Sequence, residues 1–211
     1  IMKTPEHPIF IESIQYIRSQ IEFTGLNCVQ QSVVERIIHS SGDLGMQSCL
    51  RFSFNACENG INALRKGSNI LTDTHMAAAA VLPMAKRTLN SNVKCILEMA
   101  PELIDSSSKT RTAIGMRNMW LHIEKKEECL EGPVVLIGSA PSALMTLLDL
   151  IEEGARRPSL IIGMPVGFIG VSECKRRLLK SDCSHIVLEG SKGGASVAAA
   201  TVNALLRASE L

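Results

Sequence analysis

The chain has 211 residues, 45% hydrophobic and 20% charged, the balance of a water-soluble fold with room for one well-buried core. A net charge of +1 with 3% aromatic residues supplies neither the basic patch nor the stacking platforms of a nucleic-acid binder. No apolar run approaches the ~20 residues of a membrane span, Pro5-Glu6-His7-Pro8 breaks any signal-peptide core, and seven scattered cysteines without C-x-x-C spacing imply reduced thiols in a cytoplasmic protein and no metal site.

The first third reads as helical. Pro8 suits a first helical turn, and Ile9, Phe10, Ile14, Ile17 and Ile21 recur at helical spacing before Gly25. Asn27 is a capping residue for a second helix, with Val33, Val34, Ile37 and Ile38 as its buried stripe and Gly42 near its end. Residues 50–54 are a candidate strand, and Asn55 and Gly67 bracket a third helix. From residue 68 onward, short apolar runs alternate with helical segments. Strands are expected at 69–71, 93–97, 134–137, 160–162 and 185–188, and helices at 74–89, 110–125, 142–153, 172–179 and 194–208. Strands apolar on both faces and separated by helices predict an α/β fold: a mostly parallel sheet covered by helices on both faces. The expectation is a single domain over residues 1–211 with a helical N-terminal segment.

In open α/β sheets, ligands bind beyond the carboxyl ends of the strands. Four turns belong there: Thr72-Asp73-Thr74, Gly138-Ser139-Ala140-Pro141-Ser142, Gly163-Met164-Pro165-Val166-Gly167-Phe168 and Glu189-Gly190-Ser191-Lys192-Gly193-Gly194-Ala195-Ser196. In the last of these, glycines allow close backbone approach, free N–H groups at the helix start attract an anion, and Lys192 adds a charge. The same turn could simply pack the small-residue helix that follows. No P-loop, G-x-G-x-x-G or G-x-S-x-G pattern occurs, so a nucleotide cofactor and a serine nucleophile have no support.

His39 falls nearly opposite the apolar stripe of its helix, beside Glu35 and within one turn of Arg36. It faces either water or a cleft, and in a cleft an imidazole could give and take a proton near neutral pH. His75, just past a strand end, is its rival. Arg111 opens a helix as either a carboxylate clamp or a surface charge. Glu173 and Lys175 read as a solvated first helical turn.

Six segments, in order, resemble the precorrin-8X (cobalt-precorrin-8) methylmutase family. They are Arg36-Ile37-Ile38-His39-Ser40-Ser41-Gly42-Asp43, Thr72-Asp73-Thr74-His75-Met76, Thr110-Arg111-Thr112-Ala113, Ser139-Ala140-Pro141-Ser142-Ala143-Leu144, Gly163-Met164-Pro165-Val166-Gly167-Phe168-Ile169-Gly170 and Lys192-Gly193-Gly194-Ala195-Ser196-Val197-Ala198-Ala199-Ala200. The resemblance implies an isomerase of cobalamin (vitamin B12) biosynthesis that shifts a methyl group from carbon 11 to carbon 12 of a corrin-type macrocycle. His39 is then the proton donor and acceptor. Ser13, Arg36, Asp73, Thr74, Arg111, Ser142, Lys192, Gly193, Gly194 and Ser196 are the implied substrate contacts. No cofactor is implied, and a homodimer with its sites near the subunit contact is. The sequence departs from the family pattern at Ile14, Cys174, Ser139 and Ser142. A carrier that holds the corrinoid product without rearranging it would use the same pocket.

Overall fold

A computed structural model describes residues 7–22, 25–102, 109–125 and 131–210. Helix α1 (Pro8–Gln20) starts at His7, whose ring nitrogen accepts from the Ile9 N–H. Helix α2 (Cys28–Ser41) opens on a reciprocal cap between Asn27 and Gln30 and stops at Gly42, which takes the left-handed conformation that ends a helix cleanly (φ 67). A single turn, α3 (Met46–Cys49), leads into β1 (Leu50–Phe52), α4 (Ala56–Arg65), β2 (Ile70–Thr72) and α5 (His75–Arg87). The chain continues through β3 (Val93–Cys95), α6 (Arg111–Lys125), β4 (Val134–Ile137), α7 (Pro141–Glu152), β5 (Leu160–Gly163), α8 (Val171–Lys180), β6 (His185–Leu188) and α9 (Ala195–Ala208).

The strands form one sheet in the order β1-β6-β5-β4-β2-β3. All neighbours run parallel except β1, which lies antiparallel on β6. Successive residues of each strand enter opposite layers, as strand geometry requires. Val134, Leu136, Leu160 and Ile162 meet α2, α4, α5 and α9 on one face, while Val135, Ile137 and Ile161 meet α6, α7 and α8 on the other. Burial on both faces is why these runs carry no polar alternation. The α/β class with helices on both faces is therefore the observed one. Going outward from the centre, β5 and β6 lie on one side of β4, while β2 and β3 lie on the other. The direction of progress thus reverses between β2 and β4. The carboxyl ends of the five parallel strands share one edge.

Several expected boundaries shift by a residue or two, as at α5 and α7, and two of the shifts have a visible cause. Residues 96 and 97 were expected in a strand but form a 3-10 turn (Ile96–Met99), because the Glu98 carboxylate turns back to accept the Cys95 N–H at 3.0 Å. The strand expected over 50–54 stops at Phe52, because Asn55 adopts a left-handed backbone (φ 54) and Phe54 is thrown out to solvent.

Candidate functional site

Helix α2 carries two functions on two faces. Val33, Val34, Ile37 and Ile38 enter the core. The opposite face receives α1. The Arg18 guanidinium donates to both carboxylate oxygens of buried Glu35, at 2.6 and 3.1 Å. One turn further, the Phe10 ring takes the Arg36 guanidinium over its face at 4.8 Å and meets the His39 imidazole edge-on, with centroids 5.0 Å apart and planes at 79°. Such contacts are favourable by about 0.5–1.5 kcal/mol each. His39 is exposed in the last turn of α2, so its place off the apolar stripe has a reason: that face is the α1 seam, open at its end. Ser13 lies one turn after Phe10, half-buried, its hydroxyl donating to the Ile9 carbonyl at 2.9 Å.

The turn between β6 and α9 meets this seam. Lys192 Nζ donates to Asp43 Oδ2 at 2.5 Å, and Asp43 Oδ1 accepts the Gly45 N–H at 2.9 Å. The pair holds the Asp43 carboxyl below, and the Lys192 ammonium above, their ordinary values, chiefly through that hydrogen bond. It joins the glycine turn to the loop four residues after His39. Close backbone approach explains Gly193 and Gly138, while Gly194 has open space around it and takes a positive φ of 129. A Cβ on Gly193 would sit 2.1 Å from the Met164 carbonyl oxygen, the same oxygen that accepts the Gly194 N–H at 2.9 Å. A Cβ on Gly138 would lie 2.7 Å from Ala195 Cα. Ser196 is exposed in the first turn of α9, which begins without a side-chain cap.

Beneath this turn lies Lys175, and here the expectation of a solvated first turn is overturned. Lys175 is 1% exposed, and its Nζ donates to the carbonyls of Gly190 at 2.8 Å and Lys192 at 2.7 Å. The pattern was present in the sequence: Val171, Cys174, Lys175 and Leu178 form the buried stripe of α8, with Lys175 among them. Burial pushes its ammonium down to about 8. The unfolded lysine keeps its proton to about 10.5, so between these values the unfolded chain binds more protons and stability from this group rises with pH. Its neutral amine still has two N–H groups for the two carbonyls. The difference in unfolding free energy between wild type and Lys175→Met is therefore expected to move in favour of wild type by about 2 kcal/mol between pH 7.5 and 10. Denaturant melts of both proteins at several pH values measure it, and a flat difference would show that burial does not perturb this lysine.

Asp73 is placed differently from a substrate contact. It is fully buried, and its Oδ2 accepts the N–H groups of Gly138, Ser139 and Ala140 at 3.0, 2.6 and 2.8 Å. Burial raises its carboxyl above the usual range against the pull of those three donors. Thr74 caps α5 through the Ala77 N–H, and His75 beside it is exposed. Ser142 joins Thr110 and Thr112 in a hydroxyl cluster, with Oγ–Oγ1 distances of 2.6 and 3.2 Å, at the starts of α6 and α7. Arg111 is exposed there, its Nε donating to the Pro101 carbonyl at 3.0 Å.

The expected residues thus form two groups on the carboxyl edge of the sheet. One is Ser13, Arg36 and His39 with the 192–196 turn; the other is Arg111, Thr74 and Ser142. The edge also carries exposed apolar side chains: Met76 after β2, and Val166, Phe168 and Ile169 after β5. Among the described residues no group of three or more His, Cys, Asp or Glu side chains is arranged around a metal position. No helix among them is long and apolar enough to cross a membrane.

Comparison with known proteins agrees along the chain. Residues 8–208 match the CbiC precorrin-8X methylmutase family. The chain is 35% identical over 215 residues to the cobalt-precorrin-8 methylmutase of Synechocystis sp., covering 95% of each. It is 37% identical over 205 residues to the precorrin-8X methylmutase of Pseudomonas aeruginosa, covering 93% of each. The crystal structure of precorrin-8x methyl mutase from Thermus thermophilus superposes with a TM-score of 0.83 at 34% identity, over 96% of this chain and 95% of that one. With family match, identity and fold in agreement over almost the same residues, the chain belongs to the precorrin-8X methylmutase family, a family of isomerases in cobalamin biosynthesis.

Proposed function

We propose that this chain moves a methyl group from carbon 11 to carbon 12 of precorrin-8X or cobalt-precorrin-8, giving hydrogenobyrinic or cobyrinic acid, with His39 as proton donor and acceptor. One observation carries the reading. His39 is an exposed imidazole held by Phe10 at the edge of the sheet where α/β proteins receive ligands, with Arg36 on the same ring. The rearrangement breaks one carbon–carbon bond and forms another, so atoms and electrons balance without an oxidant, reductant or co-substrate. A proton given to the macrocycle makes the conjugated system electron-poor and eases migration; the same imidazole takes a proton back. Acid–base help of this kind is worth roughly 10²–10⁴-fold. Cobalt, where present, is part of the substrate.

The substrate is flat, largely apolar and fringed with carboxylates. Exposed Phe168, Ile169, Val166 and Met76 suit its face. Arg36, Arg111, Lys192, the hydroxyls of Ser13, Thr74, Ser142 and Ser196, and the Gly193–Gly194 backbone suit its fringe. Asp73 serves this site by holding the turn before Ser142. We further propose a cytoplasmic homodimer of single-domain chains, supported by exposed Ile9 and Tyr16, seven residues apart and so on one side of α1.

Stoichiometric protein mixed with precorrin-8X is expected to shorten the chromophore in a single turnover, visible in the absorption spectrum, and to retain the product. Retention should weaken as salt rises, because exposed charge pairs are screened. A tetrapyrrole that binds with an unchanged spectrum would identify a carrier instead.

A further inference from the structure

We infer that Lys175 is a positioning residue for the methyl-shift site: from inside the fold it sets the 190–194 turn, whose Lys192–Asp43 pair anchors the His39 end of α2. The inference rests, for its catalytic half, on the function proposed above.

The first ground is the placement of Lys175. It is among the largest fully buried side chains, and among the described residues it makes no ion pair. A buried ammonium without a carboxylate is an expensive way to fill space, and a methionine of similar volume would fill it without desolvating a charge. What the amine provides is two hydrogen bonds, to carbonyls two residues apart in one turn. Gly190 at φ 76 makes that turn, and Gly194 closes it by donating to the Met164 carbonyl. With its carbonyls held inward by Lys175, the turn has a single orientation, and the Lys192 side chain leaves it on the side where Asp43 stands.

The second ground is the continuity of the link. Lys175 holds the Lys192 carbonyl, Lys192 Nζ holds Asp43, and Asp43 holds the Gly45 N–H. Asp43 follows directly on Gly42, the residue that ends α2 just after His39. The links between residues are direct hydrogen bonds, and the covalent steps are the Lys192 side chain and the short run from His39 to Asp43. A displacement of the turn therefore reaches the imidazole through a short, continuous path, and misplacement by about 1 Å at a reacting group costs up to ~100-fold in rate.

The test uses Lys175→Met, Asp43→Asn and the double variant, all in the whole protein. Amide hydrogen exchange is followed without substrate, and turnover of precorrin-8X is followed in parallel. Lys175→Met is expected to melt at or above the wild-type temperature at pH 7 and yet exchange at least tenfold faster over residues 189–195 and faster over 42–46. Its kcat should fall about tenfold or more with KM changed less. Asp43→Asn, a surface change that cuts the far end of the same link, should loosen 42–46 and lower kcat. The double variant should be little worse than the poorer single variant, because both act on one path. Unchanged exchange and kcat in Lys175→Met would overturn the inference, as would additive losses in the double variant. Should Lys175→Met fail to fold, wild-type kcat and exchange in Asp43→Asn would overturn it equally. A wild type inert toward precorrin-8X would instead defeat the proposed function, and the exchange measurements would still decide the role of Lys175.

Discussion

His39→Ala is expected to lower the rate of methyl migration by roughly 10²–10⁴-fold, the contribution of a positioned acid–base group. Binding of the product should change little. The imidazole is exposed, and among the described residues its ring contact is with Phe10, so its removal leaves the core and the Arg18–Glu35 pair in place. Melting temperature should therefore stay close to wild type. A histidine that served only to bind would lose affinity and turnover together, because uniform binding energy appears in both. His75→Ala is the control: it is also exposed, stands at the start of α5 beyond β2, and lacks the Phe10 contact. Single-turnover spectra of both variants, with product affinity measured separately, separate the outcomes. A His39→Ala protein that turns over normally, alongside an inactive His75→Ala, would move the chemistry to the Asp73-Thr74-His75 turn.

Asp73→Ala is expected to be the most destabilising single change at the site, by about 3–5 kcal/mol. One buried oxygen accepts three backbone N–H groups, and alanine leaves all three donors without their partner, those of buried Gly138 and Ala140 among them. For a chain of this size the melting temperature should fall by roughly 6–20 °C. Asp73→Asn keeps an oxygen of similar reach and should lose clearly less. Calorimetry on the three proteins measures the series. Equal stability of alanine and aspartate would mean that the Gly138–Ala140 turn holds itself.

The fold was legible because its strands are buried on both faces. Runs such as 134–137 and 160–163 carry no polar residue, and only a parallel sheet between two helical layers accommodates several of them. Strand and helix ends were less legible because they are set by side chains that turn back on the backbone, as Glu98 does onto Cys95. The single turn α3 is too short to show any period. Within the site, helical geometry was enough to put His39 off the apolar stripe of α2. What covers that face was not readable, because the Phe10–His39 and Arg18–Glu35 contacts depend on the angle at which α1 returns. Lys175 stands on the apolar stripe of α8, but a lysine in a first helical turn is usually solvated, so the residue type points outward where the helical spacing points in. Asp73 is legible as part of a strand-end turn, where the family resemblance makes it a substrate contact and not the buried acceptor it is. Its partners lie more than sixty residues away, and no local pattern announces them.

The reversal of strand order between β2 and β4 opens the gap that a doubly wound sheet ordinarily leaves for a guest. In this protein the gap arrives already tenanted. The chain bends one of its own carboxyl oxygens into the cradle of amides where a phosphate or a cofactor tail would otherwise lodge. With the slot stoppered from within by Asp73, these three amides are spent inside the fold and are not on offer to a guest at this edge.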